Sequence, residues 1–417
     1  MGSRVAVVGT GISGMVAARL LAREHEVTVF EAASWIGGHT NTIDVVEDGR
    51  TVPVDTGFIV YNERTYPNFV KLLGEIGVAT RASSMSFSVR CEKTGLEWAS
   101  TSFDALFAQR TNLLRPRFLN MLREILRFNR ESRALLDMPG DPSLAEYLEW
   151  KGFSRNFVEN YIVPLGASIW SAAPGRFEDF PAKFFVRFFE NHGMNTIWDQ
   201  PEWRTIAGGS RSYVEPLVRP FKDRIRLECP VSSIRRHDDH VEIDSRAGLE
   251  SFDEVVIATH SDQALELLAD PTDAERAVLS AIPYQPNEAV LHTDTSLLPR
   301  ARRAWSSWNY HVLRDGTGRV AVTYDMNILQ GLETRETYCV TLNRSDVIDP
   351  RKVLKKITYH HPAYSRASIA AQARHAEISN HERRTHFCGA YWGFGFHEDG
   401  VKSALAVAAA FGRQLVA

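Results

Sequence analysis

The residues with the plainest chemical meaning come first in the chain. Gly9, Gly11 and Gly14 follow the apolar run at 5–8 in the order Gly-x-Gly-x-x-Gly. Each glycine has its own mechanical role. The first permits a tight turn out of a strand, the second lets the backbone approach a pyrophosphate, and the third lets a helix pack on the strand. The helix that follows presents free N–H groups, those of Ile12, Ser13 and Gly14, and the positive end of its dipole to phosphate oxygens. The next strand-like run, 26–30, leads to Glu31, where a carboxylate accepts hydrogen bonds from adenosine ribose hydroxyls. A lone glycine motif is weak. Strand, glycines, helix, second strand and acid in register describe a dinucleotide site.

Two further motifs extend it. After Glu31 come Gly37-Gly38-His39-Thr40 and then Val54-Asp55-Thr56-Gly57-Phe58-Ile59. Near the other end, Phe387-Cys388-Gly389-Ala390-Tyr391-Trp392-Gly393-Phe394-Gly395-Phe396 leads into His397-Glu398-Asp399-Gly400-Val401, a second strand, glycine turn and helix. On these motifs the whole chain resembles the flavin amine oxidase, protoporphyrinogen oxidase and phytoene desaturase superfamily, and two glycine clusters at strand-to-helix turns fit FAD better than NAD. The resemblance implies that Gly37 and Gly38 touch the pyrophosphate and that Gly57, Phe58 and Ile59 pass the flavin ring. It implies that the Val231 backbone meets adenine. It also implies that the helix start at Glu398, Asp399, Gly400 and Val401, with Gly389 in the turn, faces the flavin pyrimidine. A helix N-terminus there would stabilise negative charge on the reduced ring. The superfamily has arginine after the glycine pair; this chain has His39. No residue stands out for covalent attachment, so the FAD is expected to be non-covalent.

Catalytic candidates come from the same resemblance. Superfamily amine oxidases carry a lysine in the first strand of an inserted sheet, and the matching position here is His292. Such a histidine can position water, act as a base or simply pack. Tyr391 and Trp392 sit inside the flavin turn and, with Trp305, Trp308, Tyr310, Phe394 and Phe396, suggest an apolar cavity over the ring. The runs at 289–294, 323–327, 341–343 and 395–400 are similar to a bacterial subfamily of predicted FAD-binding oxidoreductases linked to lipid modification. That subfamily includes a desaturase of methyl-branched fatty acyl chains.

The elements that must position these residues can be read coarsely. The expected fold is α/β, a glutathione-reductase-like Rossmann FAD-binding domain with an inserted α+β substrate domain of helices and an antiparallel sheet. Residues 1–80, 204–284 and 380–417 are assigned to the FAD-binding domain, and 81–203 and 285–379 to the substrate domain. Helices are expected at 15–23, 66–77 and 211–221, and helical structure over 102–195. Strands are expected at 84–91, 225–227 leading to 231, 240–243, 254–258, 288–292, 305–313, 319–324, 337–343 and 385–388. The segment 110–133 holds seven arginines and two acids among leucines at helical spacing, and 177–189 is dense in phenylalanine.

Composition sets limits. A chain of 417 residues exceeds what one core usually supports. Its formal net charge of −3 directs it to no charged partner, and no basic stripe interleaved with aromatics suits nucleic acid. Four cysteines far apart form neither a zinc site nor a disulfide framework, and His360-His361 lacks partners at metal spacing, so no metal is expected. No secretory signal and no run of about 18 to 20 apolar residues is present, which points to the cytoplasm. The basic amphipathic segment allows peripheral contact with an anionic membrane on its inner face. The oligomeric state is not legible.

The functional expectation is an FAD-dependent oxidoreductase that dehydrogenates or desaturates an apolar, lipid-like substrate by hydride transfer to flavin N5. A methyl-branched unsaturated acyl chain is the favoured substrate. The alternatives are a flavin amine oxidase and a non-catalytic FAD-stabilised scaffold in a lipid-modifying complex.

Overall fold

The computed structural model describes residues 2–172, 177, 179–195, 201–314 and 320–415. The start of the expected strand at Arg319, and Glu178 within the phenylalanine-rich segment, lie outside them. So do residues 173–176 of the expected helical region.

Strand Arg4–Val8 is buried from its second residue onward. It has neighbours on both edges, Glu26–Phe30 and Glu254–Ile257, both parallel to it. A strand covered on both faces needs an unbroken apolar run, and Val-Ala-Val-Val provides it. The five-stranded parallel sheet is completed by Ile225–Arg226 at one edge and Thr385–Phe387 at the other. Helices Ile12–Leu21, Pro67–Ile76, Val214–Val218 and His397–Ala410 share the core on one face. The other face packs on an antiparallel meander, Val231–Arg236, Val241–Ser245 and Gly248–Phe252, and on the short helices Ser261–Leu267, Asp273–Ser280, Arg366–Gln372 and His375–Ile378. The sheet therefore draws on chain segments far apart in sequence, and its last strand is followed by the second glycine turn.

A seven-stranded sheet runs Val353–Pro362, Tyr284–His292, Cys339–Leu342, Val322–Asp325, Trp308–Val312, Phe87–Cys91, Glu97–Ala99. It is antiparallel except where Trp308–Val312 pairs in parallel with Phe87–Cys91. Ala289, Leu291, Tyr310, Val322 and Val340 of this sheet share one large core with the helices of the insert, Pro116–Glu131 and Ala182–Asn191 among them.

Several expected elements change extent. The first helix begins at Ile12, because Gly11 itself is its N-cap. The region 210–224 is one short α-helix between two 3₁₀ turns, interrupted by Pro216 and Pro220. Among the elements not expected are the hairpin Thr42–Glu47 and Arg50–Asp55, the strand Val353–Pro362, and the small sheet of Val60–Asn62, Trp203–Ile206 and Thr80–Ser83. No helix among the described residues is long and apolar enough to cross a membrane.

Candidate cofactor and active site

Gly9 turns out of the first strand with φ 102°, and a Cβ at Gly14 would lie 2.1 Å from the Gly9 oxygen. Helix and strand thus touch through a contact that only glycine permits. At Gly11 the reverse holds: a Cβ would meet nothing within 4 Å, and no side chain caps the helix there. Open space before uncapped N–H groups suits a pyrophosphate. The other glycines come to the same place. A Cβ on Gly38 would stand 3.3 Å from the Gly11 Cα, and one on Gly400 would stand 2.6 Å from Ile12 Cγ2 and 3.8 Å from the Ser13 nitrogen. Three motifs distant in sequence converge on one helix N-terminus.

Glu31 is fixed beside them. One carboxylate oxygen accepts from the Thr10 amide at 2.9 Å and the other from the Ala33 amide at 2.8 Å, and the side chain remains partly exposed. The Cys229 amide donates to the Glu31 carbonyl at 2.9 Å, which carries the strand that starts at Val231 alongside the acid.

The expected flavin arm leads away through His39. The Phe58 amide donates to the His39 carbonyl at 2.8 Å, and Gly57 approaches that carbonyl so closely that a Cβ would lie 2.2 Å from it. The Ile59 carbonyl accepts from Thr205 at 2.8 Å. The Phe58 ring stacks on His397 with centroids 3.5 Å apart. Val401 is fully buried in the next turn of the same C-terminal helix. The carboxylates of Glu398 and Asp399 bind protein. Glu398 accepts from Asn68 Nδ2 at 2.6 Å and the Phe69 amide at 3.0 Å, and Asp399 accepts from the Phe394 and Phe396 amides at 3.0 and 3.1 Å. Burial raises the Asp399 carboxyl to about 6. A cofactor contact at these two positions falls to the backbone.

His39 does not stand alone. Its ring centroid lies 5.4 Å from that of His361 and 6.4 Å from that of His260, and His260 lies 5.9 Å from His360. Tyr359 and Tyr284 pack on His39 and His260 at 4.9 and 4.0 Å. Burial, followed by the neighbouring imidazoles, lowers His39 to about 4 and His260 and His361 to about 3. Four imidazoles, those of His39, His260, His360 and His361, thus gather beside the glycine pair. The sequence hid this group, because the His-His pair lacks metal spacing. The signal was His39 itself, a histidine where the resemblance implies an arginine, which invites a search for other donors.

His292 is a correction. Ala289 and Leu291 face the large core, so alternation turns Val290 and His292 to the opposite face of the sheet. There His292 is fully buried, with Nε2 2.7 Å from Thr341 Oγ1 and Nδ1 accepting from the Asp294 amide at 3.0 Å. The end of this strand that meets the glycine junction is Tyr284, on His260, and eight residues of strand separate them by about 26 Å. Both ring nitrogens are engaged, burial lowers the ring to about 4, and the side chain is structural. The polar residues of the interior face are Gln285 and Asn287, which both donate to the Ser171 carbonyl, at 2.8 and 3.1 Å, and Asn287 also lies 2.9 Å from His361 Nδ1.

Tyr391 and Trp392 also move. Tyr391 is fully buried in the core beneath the parallel sheet, and Trp392 packs edge-on against His375 at 4.5 Å. Trp305, Trp308 and Tyr310 lie in the larger sheet and its loops, Trp305 donating to the Pro299 carbonyl at 2.8 Å. The aromatic wall at the C-terminal glycine turn is made instead by Phe394 and Phe396. They meet Phe184 and Phe188 of the phenylalanine-rich helix at 4.5 and 5.1 Å, and Trp170 donates to the Phe394 carbonyl at 3.2 Å. Tyr364 stands 5.1 Å from Phe184, and its buried hydroxyl has no hydrogen-bond partner among the described residues.

Comparison with known proteins agrees with this geometry. Residues 12–321 match the family of flavin containing amine oxidoreductases. The dog protein amine oxidase [flavin-containing] A is 26% identical over 265 residues, 58% of this chain and 46% of that protein. The chain thus matches less than half the length of that curated relative. Among solved structures, cyclohexylamine oxidase from Brevibacterium oxydans superposes with a TM-score of 0.69 at 17% identity, over 99% of this chain and 100% of the other. An Exiguobacterium structure assigned as a protoporphyrinogen oxidase gives a TM-score of 0.72 at 20% identity, over 99% of both chains. A fatty acid isomerase from P. acnes gives 0.67 at 16% identity, over 98% of both. The converging glycines, the acid Glu31 fixed beside them and the family match together place this chain among the FAD-dependent flavin containing amine oxidoreductases.

Proposed function

We propose that the protein oxidises an unsaturated acyl chain, preferably methyl-branched, removing two hydrogens to extend the double bond into conjugation. The observation that carries this reading is the wall of Phe184, Phe188, Phe394 and Phe396 at the start of the C-terminal helix, which is apolar and to which Asp399 contributes no free carboxylate. When bound, FAD would accept one of the two hydrogens as a hydride, and the other would leave the allylic cation so formed as a proton released to solvent. The phenylalanines seat the chain and exclude water, and the Tyr364 hydroxyl offers one hydrogen bond to a polar group of the substrate. The N-terminus of helix His397–Ala410 favours negative charge at its end of the site. A carbon gives up hydride readily only when its developing charge is stabilised, which an allylic position does and a saturated chain does not. A neighbour in fold named a fatty acid isomerase supports acyl chains as guests of this architecture.

The second reading is amine oxidation, favoured by the curated relative of that name. Anaerobic mixing of the FAD-loaded protein with methyl-branched monounsaturated phospholipid, its unbranched counterpart, and primary and secondary amines separates the two. Loss of flavin absorbance with the branched lipid is expected. Loss with an amine and with neither lipid overturns the proposal.

A further inference from the structure

The strongest surface feature lies on the helical insert, away from the glycine junction. The wider segment 101–133 carries seven arginines against three carboxylates. It begins with Phe103, 76% exposed, at the head of a short helix, continues through the 3₁₀ turn Arg110–Leu114, where Leu114 is 86% exposed and Leu113 half-exposed, and then forms helix Pro116–Glu131. The buried face of that helix is accounted for by Phe118, Met121 and Phe128 in the large core. Its outer face is unusual. Leu119, Arg123, Leu126 and Arg130 fall at spacings of four, three and four, one stripe of a helix, and all four are exposed. Five of the twelve exposed large apolar side chains among the described residues lie between 103 and 126.

The charges sort the same way. Glu124 is turned inward, where it accepts from the Ser154 amide and hydroxyl at 2.7 and 2.6 Å. Asp104 is matched twice, by Arg110 at 2.5 Å and Arg303 at 3.4 Å. Arg117 and Arg123 are exposed and have no carboxylate partner among the described residues. A solvated helix face has reason to carry arginine but none to interleave it with leucine and end on Phe103 and Leu114. A second copy of the chain fits poorly, since a symmetric contact would set arginine against arginine.

We propose that this face docks on an anionic phospholipid bilayer, with Phe103, Leu113 and Leu114 entering the headgroup boundary and the arginines meeting lipid phosphates. Side chains that protrude among cations match the layered chemistry of a bilayer surface, apolar inside and anionic outside. Docking goes beyond the proposed reaction and stands or falls without it.

The test is sedimentation of the FAD-loaded protein with vesicles of phosphatidylcholine alone or mixed with phosphatidylglycerol. Binding is expected to the mixed vesicles and to weaken as salt rises, because surface charge is screened within about 8 Å at physiological ionic strength. The variant Leu113→Asp/Leu114→Asp should reduce it at least tenfold. Arg117→Glu/Arg123→Glu should reduce it at least about 25-fold, since each cation near an anionic leaflet strengthens binding about fivefold. All four side chains are exposed, so flavin absorbance and melting temperature should not change. No binding to mixed vesicles, equal binding to neutral ones, or insensitivity to the leucines overturns the proposal. Binding to heparin as tight as to vesicles would make the face a polyanion site and overturn it equally.

Discussion

Gly11 and Gly14 stand three residues apart in one motif, yet they should fail in opposite ways. Gly11 has extended backbone angles, φ −59° and ψ 171°, that any residue adopts, and its Cβ direction is empty. Gly11→Ala should therefore leave the stability of the FAD-free protein within about 0.5 kcal/mol of the parent. Its methyl group would occupy the space before the helix N-terminus and hold the pyrophosphate off. Loss of two charge-assisted hydrogen bonds, at about 1.5 to 3 kcal/mol each, raises the FAD dissociation constant about 10² to 10⁴-fold. Gly14→Ala places its methyl 2.1 Å from the Gly9 oxygen and 3.1 Å from Ala258 Cβ, so helix and strand must part. Overpacking of this kind costs about 1 to 3 kcal/mol, and a backbone partner puts it at the upper end. FAD titration by fluorescence quenching and thermal unfolding of the FAD-free protein measure the two effects separately. Unchanged FAD affinity in Gly11→Ala, or unfolding of Gly11→Ala as early as that of Gly14→Ala, would refute the assignment of the open space to the pyrophosphate.

Other outcomes follow from the same geometry. Glu31→Ala should weaken FAD binding by the loss of ribose hydrogen bonds while the circular dichroism of the protein is unchanged; equal affinity would show that the ribose is held elsewhere. Burial holds the imidazoles of His39, His260 and His361 down, to about 4, 3 and 3, so that they are neutral at pH 7. A pyrophosphate would raise them, so FAD binding should take up protons, and affinity should be highest at low pH and fall as pH rises through the bound-state values. The groups around them are His360, Tyr284, Tyr359 and His397, with Asp262 beyond Tyr284 and Asp55 beyond Tyr359. Calorimetry in buffers of different ionisation enthalpy reads the uptake, and a pH-independent affinity with no buffer dependence contradicts it. Without FAD the same depressed values predict stability lost as pH falls from about 6.5 towards 4, measurable as a drop in melting temperature. His292→Ala should lower the melting temperature by several degrees and leave the rate of flavin reduction per bound FAD intact; a selective loss of that rate would return His292 to the active site.

The Rossmann core was legible because its signals are local. Val5 to Val8, the three glycines and Glu31 lie within one βαβ unit, and each residue type is demanded by backbone geometry. The hairpin at 42–55 also carries a local signal, Asp48-Gly49, both with positive φ as a two-residue turn requires, but the flavin-passing segment at its end overshadows it. Strand Val353–Pro362 could not be read by alternation. Its Lys355 and Lys356 stand in succession on an edge strand, where solvent tolerates charge on either face. His292 was misplaced because a resemblance gives no distance along a strand: it lies eight residues from the end at Tyr284 and on the face opposite Ala289 and Leu291. The wall of Phe184, Phe188, Phe394 and Phe396 joins segments about 200 residues apart, and no periodicity in either segment announces the other.

The most direct test of the proposed chemistry is analysis of the lipid after one anaerobic turnover. FAD-loaded protein would be mixed with excess methyl-branched monounsaturated phospholipid, and the acyl chains recovered and examined by mass and ultraviolet absorbance. The expected result is one product chain per flavin reduced, lighter by two hydrogens and carrying a conjugated pair of double bonds. A conjugated or shifted chain of unchanged mass would instead identify an isomerase. An unaltered lipid, with the flavin reduced only by amines, would contradict the proposed acyl-chain oxidation outright.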